Sequence, residues 1–351
     1  MVELFSKEEA NKIIKVREGE TKLGESVIMP HNSLHESLAQ FKGRYVIMGV
    51  PEDIGPSANF GKKGARYTWQ HFLEAFLNIQ DNDFMPNEEI MILGHLAVDD
   101  LLNTADQLDA NIPEELQRLR ELVAIIDERL ERAVKAIVNE NKIPIVIGGG
   151  HNNAYGIIAG TVSAMQENDN HVKPKLAVIN LDPHADFRPL EGRHSGNSFS
   201  YAFNNQLLNK YHVVGLHENY NSNNFINHTI KYPEDLSFYT FEQWLDHPIS
   251  TQELAKQSIE KVKDQPVGLE IDLDSVCFFP SSAKTPSGWT VDQIRAYIRE
   301  MGRQKNIAYL HLTESAPSSN EKDEGLTGKS LSYFVSDFVK NHHLTFGRIT
   351  H

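Results

Sequence analysis

The 351-residue chain has a single cysteine, Cys277, so no disulfide can join two parts of it. This thiol is expected only to fill buried space. No stretch approaches the ~20 apolar residues that span a bilayer, so no membrane partner is expected. The opening, Met1 to Glu9, lacks the basic and apolar regions of a secretory signal. With the lone cysteine, this favours a cytoplasmic location. Basic residues are in deficit: 34 Lys and Arg stand against 48 Asp and Glu, a net charge of −14. Phosphate binding needs clustered Lys and Arg, which are absent, so nucleic acid is set aside as a partner. A small anionic substrate stays admissible, because a few local arginines or bound ions can reverse the field inside a cleft. Repeats with periods of about 20–50 residues are also missing, which excludes solenoids and propellers.

What is present is an alternation of Val/Ile/Leu runs with longer amphipathic stretches, the pattern of a parallel sheet covered by helices. Strands are expected at Tyr45–Val50, Ile143–Ile147, Leu176–Asn180, His212–Gly215, Val267–Leu273 and Ile307–Leu312. Helices are expected at about 66–77, 114–140, 153–166, 251–264, 290–304 and 329–341, several opening after Pro, Ser, Thr or Asn. Polar stretches near 167–174 and 218–231 suggest surface loops rather than linkers. The fold class is α/β, with residues 1–351 as one domain and residues 1–40 as a less periodic N-terminal extension. Homo-oligomerisation is left open by the sequence.

Three strand ends carry metal-binding groups. The first, Ile147 to His151, is an apolar strand running through three glycines into an imidazole. The glycines could cradle phosphate, but their spacing matches neither the dinucleotide nor the P-loop fingerprint. The second, Asn180 to Asp186, places Asp182, His184 and Asp186 at alternate positions, so an extended segment would turn all three to one side. The third, Leu269 to Asp274, sets Asp272 and Asp274 inside a buried-looking strand, where unpaired carboxylates call for a cation. Singly, Asp182 and Asp274 could cap loops and His151 could be a core histidine. Together the four Asp and two His suffice for two divalent ions with bridging carboxylates, and this donor set suits Mn²⁺.

These segments resemble the Gly-Gly-Asp-His, Asp-Ala-His-x-Asp and Ser-x-Asp-x-Asp motifs of the arginase and agmatinase (ureohydrolase) family, in the same order and spacing. Further similarity lies at Gly49 to Asp53, Gly61 to Ala65, Thr285 to Gly288 and Leu312 to Glu314, so the resemblance spans about residues 45 to 341. It implies a three-layer αβα fold with a mainly parallel sheet of about eight strands and the site at the strands' carboxyl ends. It further implies that His151, Asp182, Asp186 and Asp272 hold one Mn²⁺, and that Asp182, His184, Asp272 and Asp274 hold the other. Glu314 is similar to the acidic residue that receives the cationic end of an amidine or guanidino substrate; otherwise it would be a strand-end carboxylate in a surface ion pair.

Within that family the chain resembles the formimidoylglutamases, which hydrolyse N-formimidoyl-L-glutamate to L-glutamate and formamide. The likeness rests on Gly148-Gly149-Gly150-His151, on Asp186-Phe187-Arg188, and on the segment Ser195-Gly196-Asn197-Ser198-Phe199. Phe199 stands where arginases carry a proton-shuttling histidine. The fork of Arg188 could pair with a substrate carboxylate, or simply balance the acidic cluster. Ser195 and Asn197 are expected to bond the substrate's amino-acid end, and His194 to face solvent, the alternative being that it replaces the missing shuttle. Asp186 is expected to relay a proton to the departing amine while two ions lower the pKa of the attacking water. Arginase, agmatinase or another guanidino-acid hydrolase releasing urea is the alternative, and a non-catalytic metal-binding protein is a more distant one. Pro183 stands where the family usually has Ala, the segment Ser275 to Phe278 lacks the Asp-Pro of arginases, and Asn197 resembles arginases more than the Thr often found in formimidoylglutamases.

Overall fold

The computed structural model describes residues 2–168, 175–317 and 321–347. Among the described residues nine strands form one sheet: β1 Val2–Leu4, β2 Tyr45–Gly49, β3 Ile90–Leu96, β4 Ile143–Ile147, β5 Ala177–Leu181, β6 Lys210–Leu216, β7 Leu236–Thr240, β8 Val267–Asp272 and β9 Ile307–Thr313. Their order is β1-β3-β2-β4-β9-β8-β5-β6-β7, and every pairing is parallel except that of β1 with β3.

The central strands are buried on both faces, which is why they appear as continuous apolar runs. Alternate residues feed two separate cores. Tyr45, Ile47, Ile145 and Ile147 pack with the helices Thr68–Phe76, Thr251–Val262, Val291–Met301 and Glu321–Leu344. Val46, Met48, Val146 and Val178 pack with Pro113–Asn139, Asn153–Asn168 and Ser198–Asn204. The 27-residue helix Pro113–Asn139 shows the device plainly: Pro113 opens it, and Leu119, Leu122, Val123, Ile126, Leu130, Val134 and Ile137 make one buried stripe. Side by side, two helical layers and the sheet give the three-layer αβα arrangement.

Three strands have no counterpart among the sequence expectations. β3 is apolar, but its run is broken by Gly94 and His95. Gly94 sits at φ 129°, and a Cβ there would lie 1.9 Å from the carbonyl oxygen of Glu3, so the glycine is what lets β1 pair along this edge. β1 is only three residues long and β7 is half-buried, so neither carries a strong pattern. Residues 1–40 contribute β1 and core residues such as Phe5, Ala10 and Leu23. Part of the loop expected at 218–231 is the helix Asn223–Lys231, whose only buried residue is Phe225. Of the loop expected at 167–174, residues 169–174 lie outside the described residues.

The strand order positions the site. β4 and β5 are consecutive in sequence, yet β9 and β8 lie between them. Chain direction therefore diverges at the sheet's centre, opening a crevice at the carboxyl ends where α/β sheets take ligands. Among the described residues no helix is long and apolar enough to cross a membrane.

Candidate metal centre

The four central strands each deliver one part of the site. β4 leads into Gly148, Gly149 and Gly150 and then His151. Gly149 sits at φ 75°, and a Cβ on it would meet the Asn153 amide at 2.1 Å and the Val50 carbonyl at 2.9 Å. No other residue could take that path. The turn is held by Glu52, whose buried carboxylate accepts from the backbone N–H groups of Ile54, Gly55 and Gly150 and from the side-chain amides of Asn152 and Asn153.

His151 is fully buried, and its Nδ1 lies 2.8 Å from Asp186 Oδ2, 3.0 Å from Asp272 Oδ2 and 3.2 Å from Asp182 Oδ2. One ligand atom from each of these four residues falls within 4.8 Å of the others. His184 extends the cluster: its Nδ1 is 3.4 Å from Asp182 Oδ1 and 3.8 Å from Asp274 Oδ2. Asp182 thus turns one oxygen to each histidine. All six predicted ligands come together, but not by the route their spacing suggested. β5 ends at Leu181; beyond Asp182 the chain bends, His184 N–H donates to Asp182 Oδ1 at 2.6 Å, and Asp186 is brought in by a left-handed backbone at φ 43°. Likewise Asp272 ends β8, while Asp274 lies in a 3₁₀ turn whose N–H donates to Asp272 Oδ1 at 2.7 Å.

The electrostatics is that of an anionic trap. Burial, then the charge of Asp182, pushes Asp186 and Asp272 up, with Asp274 adding to Asp272. Burial also raises Asp274. Burial opposes charge on the two imidazoles, yet their carboxylate neighbours outweigh it, raising His151 well above the ordinary range and His184 to about 10. Asp182 alone is driven down: burial works against its charge, but hydrogen bonds to both histidines prevail. Four carboxylates with only two imidazoles between them leave negative charge uncompensated in a buried place. That is the condition a pair of divalent cations satisfies, and the oxygen-and-imidazole donor set fits Mn²⁺.

Asp186, Asp272, Asp274 and His184 line a cavity of about 690 Å³ together with Glu314, Arg188, Ser195 and Tyr220. Glu314 follows β9 at φ 61°; its Oε1 accepts from His151 N–H at 2.6 Å, and its buried Oε2 has no hydrogen-bond partner among the described residues. Burial, then the charge of Asp274, pushes Glu314 up to about 8. Arg188 is exposed at the rim and donates from Nη1 to Asn59 Oδ1 at 2.7 Å. A cavity of about 670 Å³ shares Phe187, Arg188 and Pro189 with this one but contains none of the clustered acids.

Two expectations need correction, and a third is only half met. Asn197 does not line the cavity; its amide is buried among Arg193, the His194 N–H and the carbonyls of Gly192 and Pro189. His194 does not face solvent. It is fully buried, its Nδ1 accepts from Gly196 N–H at 3.1 Å and its Nε2 meets Glu191 at 3.1 Å, while burial and nearby arginines hold it down at about 3. Both outcomes trace to the buried pair of Arg193 with Asp127 at 2.8 Å, which organises this loop. Cys277 is half-buried rather than sealed in the core. Phe199, where arginases have histidine, is buried edge-on to the His151 ring at a centroid distance of 5.2 Å and stacks on Tyr211 at 4.4 Å.

The sequence model described as the arginase family matches residues 43–336. This chain belongs to the arginase family. Formimidoylglutamases of Streptococcus pyogenes, from serotypes M3 and M4 among others, are 30% identical to this family member over 228 residues. Those alignments cover 63% of the chain and 64% of each relative, so the match spans less than two thirds of the curated relatives' length. Among solved structures, the formimidoylglutamase from Bacillus subtilis superposes with a TM-score of 0.72 at 16% identity, covering 94% of both chains. The formiminoglutamase from Trypanosoma cruzi, solved with Mn²⁺, gives a TM-score of 0.67 at 16% identity and covers 91% of this chain and 99% of that one. Proclavaminate amidino hydrolase from Streptomyces clavuligerus gives 0.66 at 19%, covering 93% and 99%. At these identities the structural likeness establishes the arginase fold.

Proposed function

We propose that this arginase-family chain is a dinuclear metal-dependent hydrolase that converts N-formimidoyl-L-glutamate and water to L-glutamate and formamide. The observation that carries the reading is the convergence of His151, Asp182, Asp186 and Asp272 on one point, with His184 and Asp274 beside it, at a cavity that Glu314 and Arg188 also line. The names of the Streptococcus pyogenes relatives support the substrate, and the Mn²⁺ in the Trypanosoma cruzi structure supports the metal. The whole chain is taken as one catalytic domain, with residues 1–40 as its N-terminal extension.

In this reading His151, Asp182, Asp186 and Asp272 would hold one Mn²⁺, and Asp182, His184, Asp272 and Asp274 would hold the other. When bound, two such ions supply an activated water at neutral pH and polarise the bond under attack. The protein's own groups orient the rest. The unpartnered Oε2 of Glu314 is the acceptor for the substrate's amidinium, and the guanidinium of Arg188 is the bidentate partner for a glutamyl carboxylate. Ser195 Oγ, which accepts from Asn59 Nδ2 at 3.3 Å, is left free to donate to the same end. Asp186 passes a proton to the amine that leaves as glutamate. Asn197 holds the loop through Arg193 rather than touching substrate.

A substrate panel tests the proposal. Mn²⁺-loaded protein is incubated with N-formimidoyl-L-glutamate, L-arginine and agmatine, and formamide and urea are quantified. Formamide and glutamate in equal amounts from the first substrate, with little urea from the others, is the expected result. Faster urea release would replace the reading with a guanidino hydrolase, and no turnover on any of them with a filled site would leave a metal-binding protein.

A further inference from the structure

Beneath the acidic cluster lies a second buried group that the proposed mechanism does not use. β8 carries Glu270 two residues before Asp272, so both side chains leave the same face of the sheet. β9 places His311 opposite Glu270 in the parallel register. His151, Glu270 and His311 are all fully buried. Glu270 Oε2 lies 2.6 Å from His311 Nδ1, and Oε1 accepts from the Tyr309 hydroxyl at 2.8 Å. The same Oε2 faces His151 Nε2 at 3.5 Å.

The geometry fixes which nitrogen of His151 does what. Its Nδ1 points at Asp182, Asp186 and Asp272, so a cation among those carboxylates takes the Nδ1 lone pair. The ring proton then resides on Nε2, which is buried and among the described residues has no partner at normal hydrogen-bond range. An N–H in that position needs an acceptor, and the carboxylate of Glu270 faces it. The family motif quoted above has Ser where this chain has Glu270. A serine hydroxyl is shorter and uncharged; a glutamate supplies a full negative charge to the far side of the imidazole.

We infer that Glu270, clamped by His311 and Tyr309, is a positioning residue that selects the Nε2–H tautomer of His151 and strengthens His151 as a ligand to one of the two ions. A carboxylate behind a metal-bound imidazole acts in this way, fixing ring orientation and raising ligand basicity. The inference rests on the metal-centre reading above.

Calorimetric titration of the metal-free protein with MnCl₂ separates the two claims. Wild type takes up two ions. Glu270→Gln still takes up two, one of them roughly 10–100-fold more weakly and the other unchanged. Glu270→Ser, which installs the motif residue, weakens the same ion. Tyr309→Phe and His311→Asn, which loosen the clamp but keep the carboxylate, weaken that ion by less and stand in if Glu270→Gln does not fold. Unchanged affinities in every variant overturn the inference, as does equal weakening of both ions, which a merely structural role would produce. Uptake of a third ion that disappears in Glu270→Gln also overturns it, in favour of a metal site of its own. Wild type that binds no pair of ions overturns the metal-centre reading instead.

Discussion

Two buried polar clusters meet at the glycine run 148–150 and are built on opposite plans. On one side, Glu52 gathers five donors from Ile54, Gly55, Gly150, Asn152 and Asn153, and Asp127 is matched by Arg193. Each of those acids is answered by the protein itself, as buried polar groups generally are. On the other side, Asp182, Asp186, Asp272 and Asp274 crowd together with neutral donors such as Asn180 and Ala283 beside them, and among the described residues their only basic neighbours are His151 and His184. The acids of the first cluster are answered as they stand, and that cluster serves the fold. The second is complete only with cations, so its residues should be dispensable for folding and indispensable for function.

The sharpest way to break that contrast is to neutralise one acid from each side. Asp127→Asn strands the Arg193 guanidinium and should destabilise the protein by about 3–5 kcal/mol, the usual result of breaking a buried pair. Asp272→Asn relieves like-charge repulsion and should leave the metal-free melting temperature unchanged or raised. Thermal melts after exhaustive chelation decide it, and equal losses in both variants would erase the distinction.

Function should show the reverse order. Asp274→Ala or His184→Ala should lower kcat/KM at least about a hundredfold, or ~2.7 kcal/mol, with the circular dichroism spectrum intact. Wild-type turnover in either variant at saturating Mn²⁺ would remove that residue from the centre. Arg188→Ala at the rim should lose about 1.5–3 kcal/mol of transition-state stabilisation, roughly one to two powers of ten in kcat/KM, without changing metal content. Arg188→Lys should recover only part, because a point charge lacks the fork.

The smallest effect expected is a pH slope. Asp186, Asp272 and Asp274 are held above the ordinary carboxylate range, and Glu314 at about 8 against an ordinary 4.5, so the metal-free fold keeps protons that the unfolded chain releases. For Glu314 that stability is whole below 4.5 and is lost as pH rises through about 8; the three aspartates have the same sign. His184, raised from 6.5 to about 10, has the same sign: its contribution is whole below 6.5 and lost as pH rises through about 10. Asp182, held below its ordinary 3.8, contributes above that value and is lost only in acid. Melting temperatures of the chelated protein should therefore fall between about pH 6.5 and about pH 10, and Mn²⁺ should flatten the slope. A rising or flat profile without metal would contradict the electrostatic picture.

Much of this was legible in the chain. The central strands announced themselves as apolar runs because both their faces are covered, and the six candidate ligands stood out because acids and imidazoles at such strand ends have few other uses. What the alternation could not convey is the backbone that realises it: a left-handed turn at Asp186, and a 3₁₀ turn at Asp274 whose N–H is bonded by Asp272. Asn197 and His194 were misjudged because their surroundings depend on Arg193 meeting Asp127, a contact between residues 66 positions apart. Glu270 and His311 carried a signal that local reading passed over, a carboxylate and an imidazole facing each other across two neighbouring buried strands.

The most direct test of the contrast between the two clusters is the manganese content of the active protein. After loading with Mn²⁺ and removal of free metal, elemental analysis of catalytically active chains should give two ions per chain, held in Asp127→Asn that still folds and reduced in Asp274→Ala. Active wild-type protein with one ion or none per chain would contradict the account.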